Sequence, residues 1–294
     1  MKTQLTTKNL MIITLLAFCI TGCVSFDQGW KHMSQTQSTG NIEALLQEAS
    51  DLEKNAASKA EILQIIDTYK EVEKIDPQHY QALWKIGNYN LLLGAAHSQS
   101  KKAKGKYYKD AVKYCEKAMF TNAKFKDAVL AGNDIPEAAS QLSINEIDAM
   151  GYWYTARFYY FKDCLSPLRR VFNTSIVIEN NKMIDHIDKL DPNWAGGGNY
   201  FSRALYYIAV PERFGGSKEL AEQEFAKAIE VGPNYIVNRW GRAKYLYSLT
   251  GNTEGYLSDL QWVVQQNPKT AENPNAWNIY FINDAIKMLA DAQK

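Results

Sequence analysis

From residue 41 onward apolar residues return every third or fourth position, and runs that alternate strictly between apolar and polar are nearly missing. That spacing sets a stripe along one face of a helix, so the pattern predicts a chain built of helices. Ser58 opens one segment with Glu61 three positions later, the pairing in which each side chain caps the other's backbone N–H. Ile62, Ile65, Ile66 and Tyr69 share a face of that helix, and Asp76-Pro77 closes it. Ser166-Pro167 starts another, with serine as cap and proline at the first helical position, where its missing N–H is not needed. Asp191-Pro192 ends that region.

The helical pattern repeats. In AEQEFAKAIEVGP (221–233), Ala221, Phe225, Ala228 and Pro233 follow the small, large, small, proline order of the second helix of a tetratricopeptide unit. The alanines let a partner helix approach, the phenylalanine fills the space between units, and the proline stops the helix. Trp240, Tyr247, Leu260, Val263 and Pro268 return to the same frame, Pro268 lying one period of about 34 residues after Pro233. Ile65, Tyr69, Val72 and Pro77 fit it more loosely, as do Ala111, Cys115 and Ala118 after a lysine-rich insertion at 97–109, read as a solvated loop. The expected architecture is all-α: tetratricopeptide-like helical hairpins stacked as an α-solenoid over 41–294, with an extended concave face for binding.

The first residues read differently. Lys2 and Lys8 precede the apolar run Leu10–Ile20, which is too short to span a bilayer, and Ile20-Thr21-Gly22-Cys23 resembles a bacterial lipobox. The expectation is a lipoprotein signal peptide over 1–22 and a lipid-bearing Cys23, an ordinary secretory signal being the other reading. Val24 in place of an aspartate favours the outer membrane over the inner. Residues 23–40, polar and rich in Ser, Thr and Gln, read as a tether from the lipid to the periplasm-facing body.

Net charge is +1, and removing Lys2 and Lys8 makes it −1, so no field draws in nucleic acid. Loss of the signal region leaves Cys115 and Cys164, either bridged in an oxidising compartment or present as two buried thiols. His32, His79, His97 and His186 form no metal motif, no nucleophile and base fall into a known spacing, and Gly196-Gly197-Gly198 lacks the strand and spacing of a dinucleotide loop. The chain is therefore read as no enzyme, without metal or cofactor. Arg169-Arg170, at the start of a helix where positive charge opposes the dipole, points to a counter-charge or an anionic partner.

The most unusual stretch is GYWYTARFYYF, 151–161. Ile147, Met150, Tyr154, Phe158, Phe161 and Leu165 share one helix face, and Trp153, Arg157 and Tyr160 another. A helix apolar nearly all round is usually buried on every side. A second reading makes Trp153, Arg157 and Tyr160 the wall of a site, with rings supplying apolar area and the guanidinium gripping a carboxylate.

Residues 40–290 resemble the T-component family of TRAP transporters, tetratricopeptide-like periplasmic lipoproteins. The resemblance lies in KYYKDAVKYCEKAM (106–119), IDAMGYWYTARF (147–158), DHIDKLDPNWAGGGNYF (185–201) and, most specifically, VPERFGGSKELAEQEFAKAIE (210–230). The segment RWGRAKYLY (239–247) departs from the acidic helix common at that place in the family. The resemblance implies a non-enzymatic accessory protein that meets the solute-binding protein of a TRAP transporter and offers a cavity or pore to organic-acid or hydrophobic ligands. A homo-oligomer is a further expectation. The competing reading is a scaffold lipoprotein for envelope assembly, binding an extended peptide on its concave face.

Overall fold

A computed structural model describes residues 24–33 and 38–293 of the 294-residue chain. The expected signal peptide over 1–22 and the lipidation candidate Cys23 lie outside the described residues. Among the described residues the fold is all-α, and the lone bridge pairs Tyr235 with Glu272. No helix there is long and apolar enough to cross a membrane.

Fourteen α-helices in chain order suffice to describe it. They are α1 (Ile42–Glu53), α2 (Lys59–Ile75), α3 (Tyr80–Ala96), α4 (Lys101–Met119), α5 (Ala123–Leu130), α6 (Ile135–Ala138) and α7 (Ile147–Cys164). The second half holds α8 (Pro167–Phe172), α9 (Ser175–Leu190), α10 (Trp194–Ala209), α11 (Lys218–Val231), α12 (Ile236–Gly241), α13 (Thr253–Val264) and α14 (Asn275–Ala292). A π-helical stretch, Arg242–Tyr247, extends α12 and coincides with the segment that departs from the family pattern.

The caps follow the sequence. Asn41, Ser58, Ser100, Ser166 and Ser217 each accept a backbone N–H of their helix's first turn, and Ser58 and Glu61 close the expected reciprocal box. The lysine-rich stretch expected as a loop is instead helical from Lys101. Ser100 caps it, and its Lys and Ala residues are good helix formers that keep charge outward while Gly105 and Tyr108 turn inward.

The long helices pack in succession: α1 on α2, α2 on α3, α3 on α4, α4 on α7, α7 on α9, α9 on α10 and α10 on α11. Small residues set the closest approaches. A side chain at Gly197 would meet the Ala228 backbone at 2.9 Å, so α10 and α11 are nearly in backbone contact. Ala221, Phe225 and Ala228 are fully buried, and Phe225 meets Phe201 edge to face at 5.5 Å. Trp240 is fully buried against Phe281 and donates from Nε1 to Asp284 at 2.8 Å. Pro233 lies exposed in the turn after α11, and the Pro268 carbonyl accepts from Asn278 Nδ2 at 3.0 Å.

The Gly196 region is held in place: Ala195, Gly196 and Gly197 have positive φ of 53°, 61° and 88°, and Asn238 Nδ2 donates to the Gly196 carbonyl. One further expectation changes. The extended concave face is closed, because α14 returns to the first helices. Trp277 Nε1 donates to Asn88 Oδ1 at 2.8 Å, and Asn275 Nδ2 to the Ala56 carbonyl at 3.3 Å. One buried apolar cluster runs from Ala49 to Ala285.

Candidate functional site

Closing the ring leaves a space behind α7. Tyr152, Tyr154, Thr155, Phe158 and Tyr159 of α7 form one wall of a cavity of about 130 Å³. Trp194, Phe201 and Leu205 of α10 supply a second, Val177 and Ile184 of α9 a third, and Trp277 and Phe281 of α14 a fourth, leaving the space partly open. An apolar cavity of ~150 Å³ is enough to hold benzene, so the space suits a small ring or a short hydrocarbon segment.

Each wall residue has a local reason for its place. Gly151 lets the Trp194 indole lie directly on the α7 backbone, since a side chain there would fall 1.9 Å from the ring. Trp194 Nε1 then donates to Asp148 at 3.0 Å, and the indole meets Tyr152 and Tyr154 edge to face. Tyr152 stacks in turn on Trp84, with ring centroids 5.6 Å apart. Two polar tips at the wall are matched, Ser202 Oγ donating to Tyr154 Oη at 2.9 Å and Thr155 Oγ1 to the Gly151 carbonyl at 2.8 Å, while the buried Nδ2 of Asn273, also in the lining, has no partner among the described residues. Burial pushes the Tyr152, Tyr154 and Tyr159 hydroxyls above their ordinary range, so they stay neutral. Among the described residues, no charged side chain lines the space.

The residues singled out as a ligand wall, Trp153, Arg157 and Tyr160, face the other way. Residues 24–33, expected within a tether, lie as a strap over that side of α7. Phe26 packs edge to face on Tyr160 at 5.4 Å, and Trp30 stacks on Phe120 at 5.1 Å. Gly29 N–H donates to Glu116 Oε2 at 2.7 Å, and Trp153 Nε1 to Glu116 Oε1 at 3.1 Å. The Arg157 guanidinium lies 4.2 Å from the Trp153 ring and 4.8 Å from the Phe26 ring. Its Nε donates to Asn180 Oδ1 at 3.1 Å and its Nη2 pairs with Glu179. A separate hollow of about 380 Å³ opens under the strap, and Trp153 and Arg157 line it with Glu116 and Glu179, whereas Tyr160 does not. Burial pushes the Glu116 carboxyl up to about 6, against the two N–H bonds and the Arg157 charge. Asn180 belongs to both sides, since its Nδ2 donates to the Tyr154 carbonyl at 2.9 Å while its Oδ1 takes Arg157.

A third, polar hollow gathers Lys104, Lys162, Lys244, Asp163 and Asp284. Lys104 and Lys162 pair with Asp163 at 3.1 and 2.7 Å, and Lys244 pairs with Asp284 at 2.6 Å. With Lys287 also in the lining, four lysines face two aspartates there.

The two thiols are not bridged. Burial pushes Cys115 well above its ordinary range and Cys164 up to about 11, so neither supplies a thiolate nucleophile at neutral pH. Among the described residues no group of His, Cys, Asp and Glu could hold a metal ion.

The cavity-facing residues were visible in the sequence as members of an aromatic helix, but not as a lining. Tyr154 and Phe158 read as packing, Trp194 stood in the resemblance stretch 185–201 with no role assigned to it, and Trp277 stood in no motif. The family model described as TRAP transporter T-component matches residues 91–294, which include every wall of the cavity. No curated protein matches the chain.

Proposed function

Because the chain belongs to the TRAP transporter T-component family, we propose that it is a non-enzymatic accessory protein facing the periplasm. In this reading lipid on Cys23 holds it to the outer membrane, and it meets the solute-binding protein of its transporter. Its inner cavity receives a hydrophobic guest, or the hydrophobic part of one. The successive packing of helices, with Ala221, Phe225 and Ala228 at one seam, supports tetratricopeptide-like hairpins that have closed into a ring.

The observation that carries the reading is the uncharged aromatic cavity at the ring's centre. It favours a hydrophobic guest over a carboxylate held inside, because Arg157 is engaged by Glu179 and Asn180 on the far side of α7. Burying a carboxylate without a partner costs several kcal/mol.

Two measurements test it. Purified protein titrated with benzene in a calorimeter should show saturable binding that Thr155→Phe, which fills the space from its wall, abolishes while the helical circular dichroism is kept. Affinity capture from the native cell should recover a solute-binding protein. Absence of saturable binding removes the cavity role, and capture of envelope-assembly proteins instead would favour the scaffold reading.

A further inference from the structure

Among the described residues, exposed large apolar side chains are scattered thinly except at one place. Leu168, Val171, Phe172 and Ile178 fall within a single stretch of α8 and the start of α9. Leu168, Val171 and Phe172 are 57%, 66% and 56% exposed, far more than isolated surface leucines usually need explaining. Spacings of three and four put Leu168 on the same face of α8 as Val171 and Phe172. Arg169, exposed on the same short helix, adds positive charge, and the half-buried Arg170 donates to the Lys162 carbonyl. Hydrophobic side chains beside arginine are the chemistry of a segment that lies in a phospholipid interface.

The strap fixes where this surface sits relative to the anchor. Val24 N–H donates to Asn173 Oδ1 at 2.7 Å, and Asn173 directly follows Phe172. Asn173 is 3% exposed and donates from Nδ2 to the Arg169 carbonyl at 2.7 Å, so the contact is built into the end of α8. Val24 also packs in the small cluster of Phe161, Leu165, Ile176, Val177 and Val210. Cys23 is one peptide bond from Val24. A lipid there would emerge beside the exposed face of α8 and not from the end of a long tether.

We propose that α8 is a membrane-docking surface: Leu168, Val171 and Phe172 enter the headgroup layer of the bilayer that holds the lipid on Cys23, with Arg169 at the phosphates. The inference rests on the anchor reading given above. It adds a fixed orientation, in which the strap clamps the body to the membrane on one side.

The test uses the full lipidated chain, with Cys164→Ser removing the accessible native thiol and a mass measurement of Cys23. An environment-sensitive fluorophore is placed at Val171→Cys or, for comparison, at Ile286→Cys on α14, another exposed apolar site. The protein is reconstituted into vesicles of phosphatidylethanolamine and phosphatidylglycerol. Emission at position 171 should shift to the blue and be quenched by brominated lipid, while position 286 stays aqueous. Adding Leu168→Asp and Phe172→Asp should abolish the shift at 171 while the lipid keeps the chain on the vesicles. An aqueous signal at 171 with lipid confirmed on Cys23 overturns the docking surface and leaves the anchor standing. A bare Cys23 overturns the anchor reading, and the docking surface with it. Equal shifts at 171 and 286, or a shift that survives the double aspartate variant, also overturn the proposal.

Discussion

Arg157→Ala decides what the aromatic helix is for. Read from sequence, Arg157 is a ligand-gripping group whose loss leaves folding intact. In the structure it is 7% exposed, stacked between the Trp153 and Phe26 rings, and bonded to Asn180 and Glu179. Removing one member of a buried ion pair typically costs about 3–5 kcal/mol. Here the Glu179 side chain is 36% exposed and regains water when the arginine goes, which argues for the lower end. Against that, Asn180 Oδ1 loses its donor and Glu116 loses its nearest positive charge. A net loss of about 3 kcal/mol follows, equivalent to a fall in Tm of about 6–12 °C by the usual scaling for large domains. Thermal unfolding followed by circular dichroism, beside benzene titration of the folded variant, reads both consequences. Stability should fall while guest affinity stays within about threefold, a difference under ~0.7 kcal/mol. Unchanged Tm with lost guest binding would refute the assignment and return Arg157 to the role of a ligand contact.

Two other outcomes follow from single contacts. Ala228→Leu inserts bulk where α10 backbone lies against α11; overpacking of about 3 kcal/mol should lower the urea midpoint, and an unchanged midpoint would show that the seam is loose. Glu116 carries a pH signature, because burial raises its folded-state pKa from 4.5 to about 6. Its contribution to stability is fully present below about pH 4.5 and is lost as pH rises through about 6, a difference of about 2 kcal/mol. The protection factor of residues 24–33, which lean on that carboxylate through Gly29, should accordingly be lower at pH 7.5 than at pH 5 once each rate is divided by the intrinsic base-catalysed rate at its pH; equal protection factors at both would mean that Glu116 does not govern the strap.

How much of this was legible in the sequence depends on the range of the signal. Capping and helix-helix seams are local, so Ser58 with Glu61, and Ala221 with Phe225 and Ala228, announced themselves by spacing. The ring closure rests on Trp277 and Asn88, far apart in the chain and joined by one hydrogen bond that leaves no periodic trace. The choice of face on α7 was hidden for a different reason. Its apolar residues surround the axis, so periodicity offers no direction, and the placement is decided by which polar tips find partners. Trp153 finds Glu116 and Tyr154 finds Ser202, both distant in sequence. The strap was obscured by its composition: half of residues 24–33 are polar, yet Phe26 and Trp30 are enough to hold it.

The partition made by α7 also bears on the class of guest. Glu116, Arg157 and Glu179 lie on the strap side, and among the described residues the cavity side is lined by uncharged groups: rings, aliphatic side chains, hydroxyls and the amides of Asn180 and Asn273. In a low-dielectric interior a charge is tolerated only beside its partner. Had Arg157 pointed into the cavity, it would have required either a permanent carboxylate there, filling the space, or a guest bearing one. Its pairing with Glu179 removes that requirement, so the space can stand apolar without a bound anion. Asn180 transmits the arrangement, with its Oδ1 held by Arg157 and its Nδ2 holding the carbonyl of Tyr154 at the cavity wall. The guest is therefore selected by shape and hydrophobic area, not by charge.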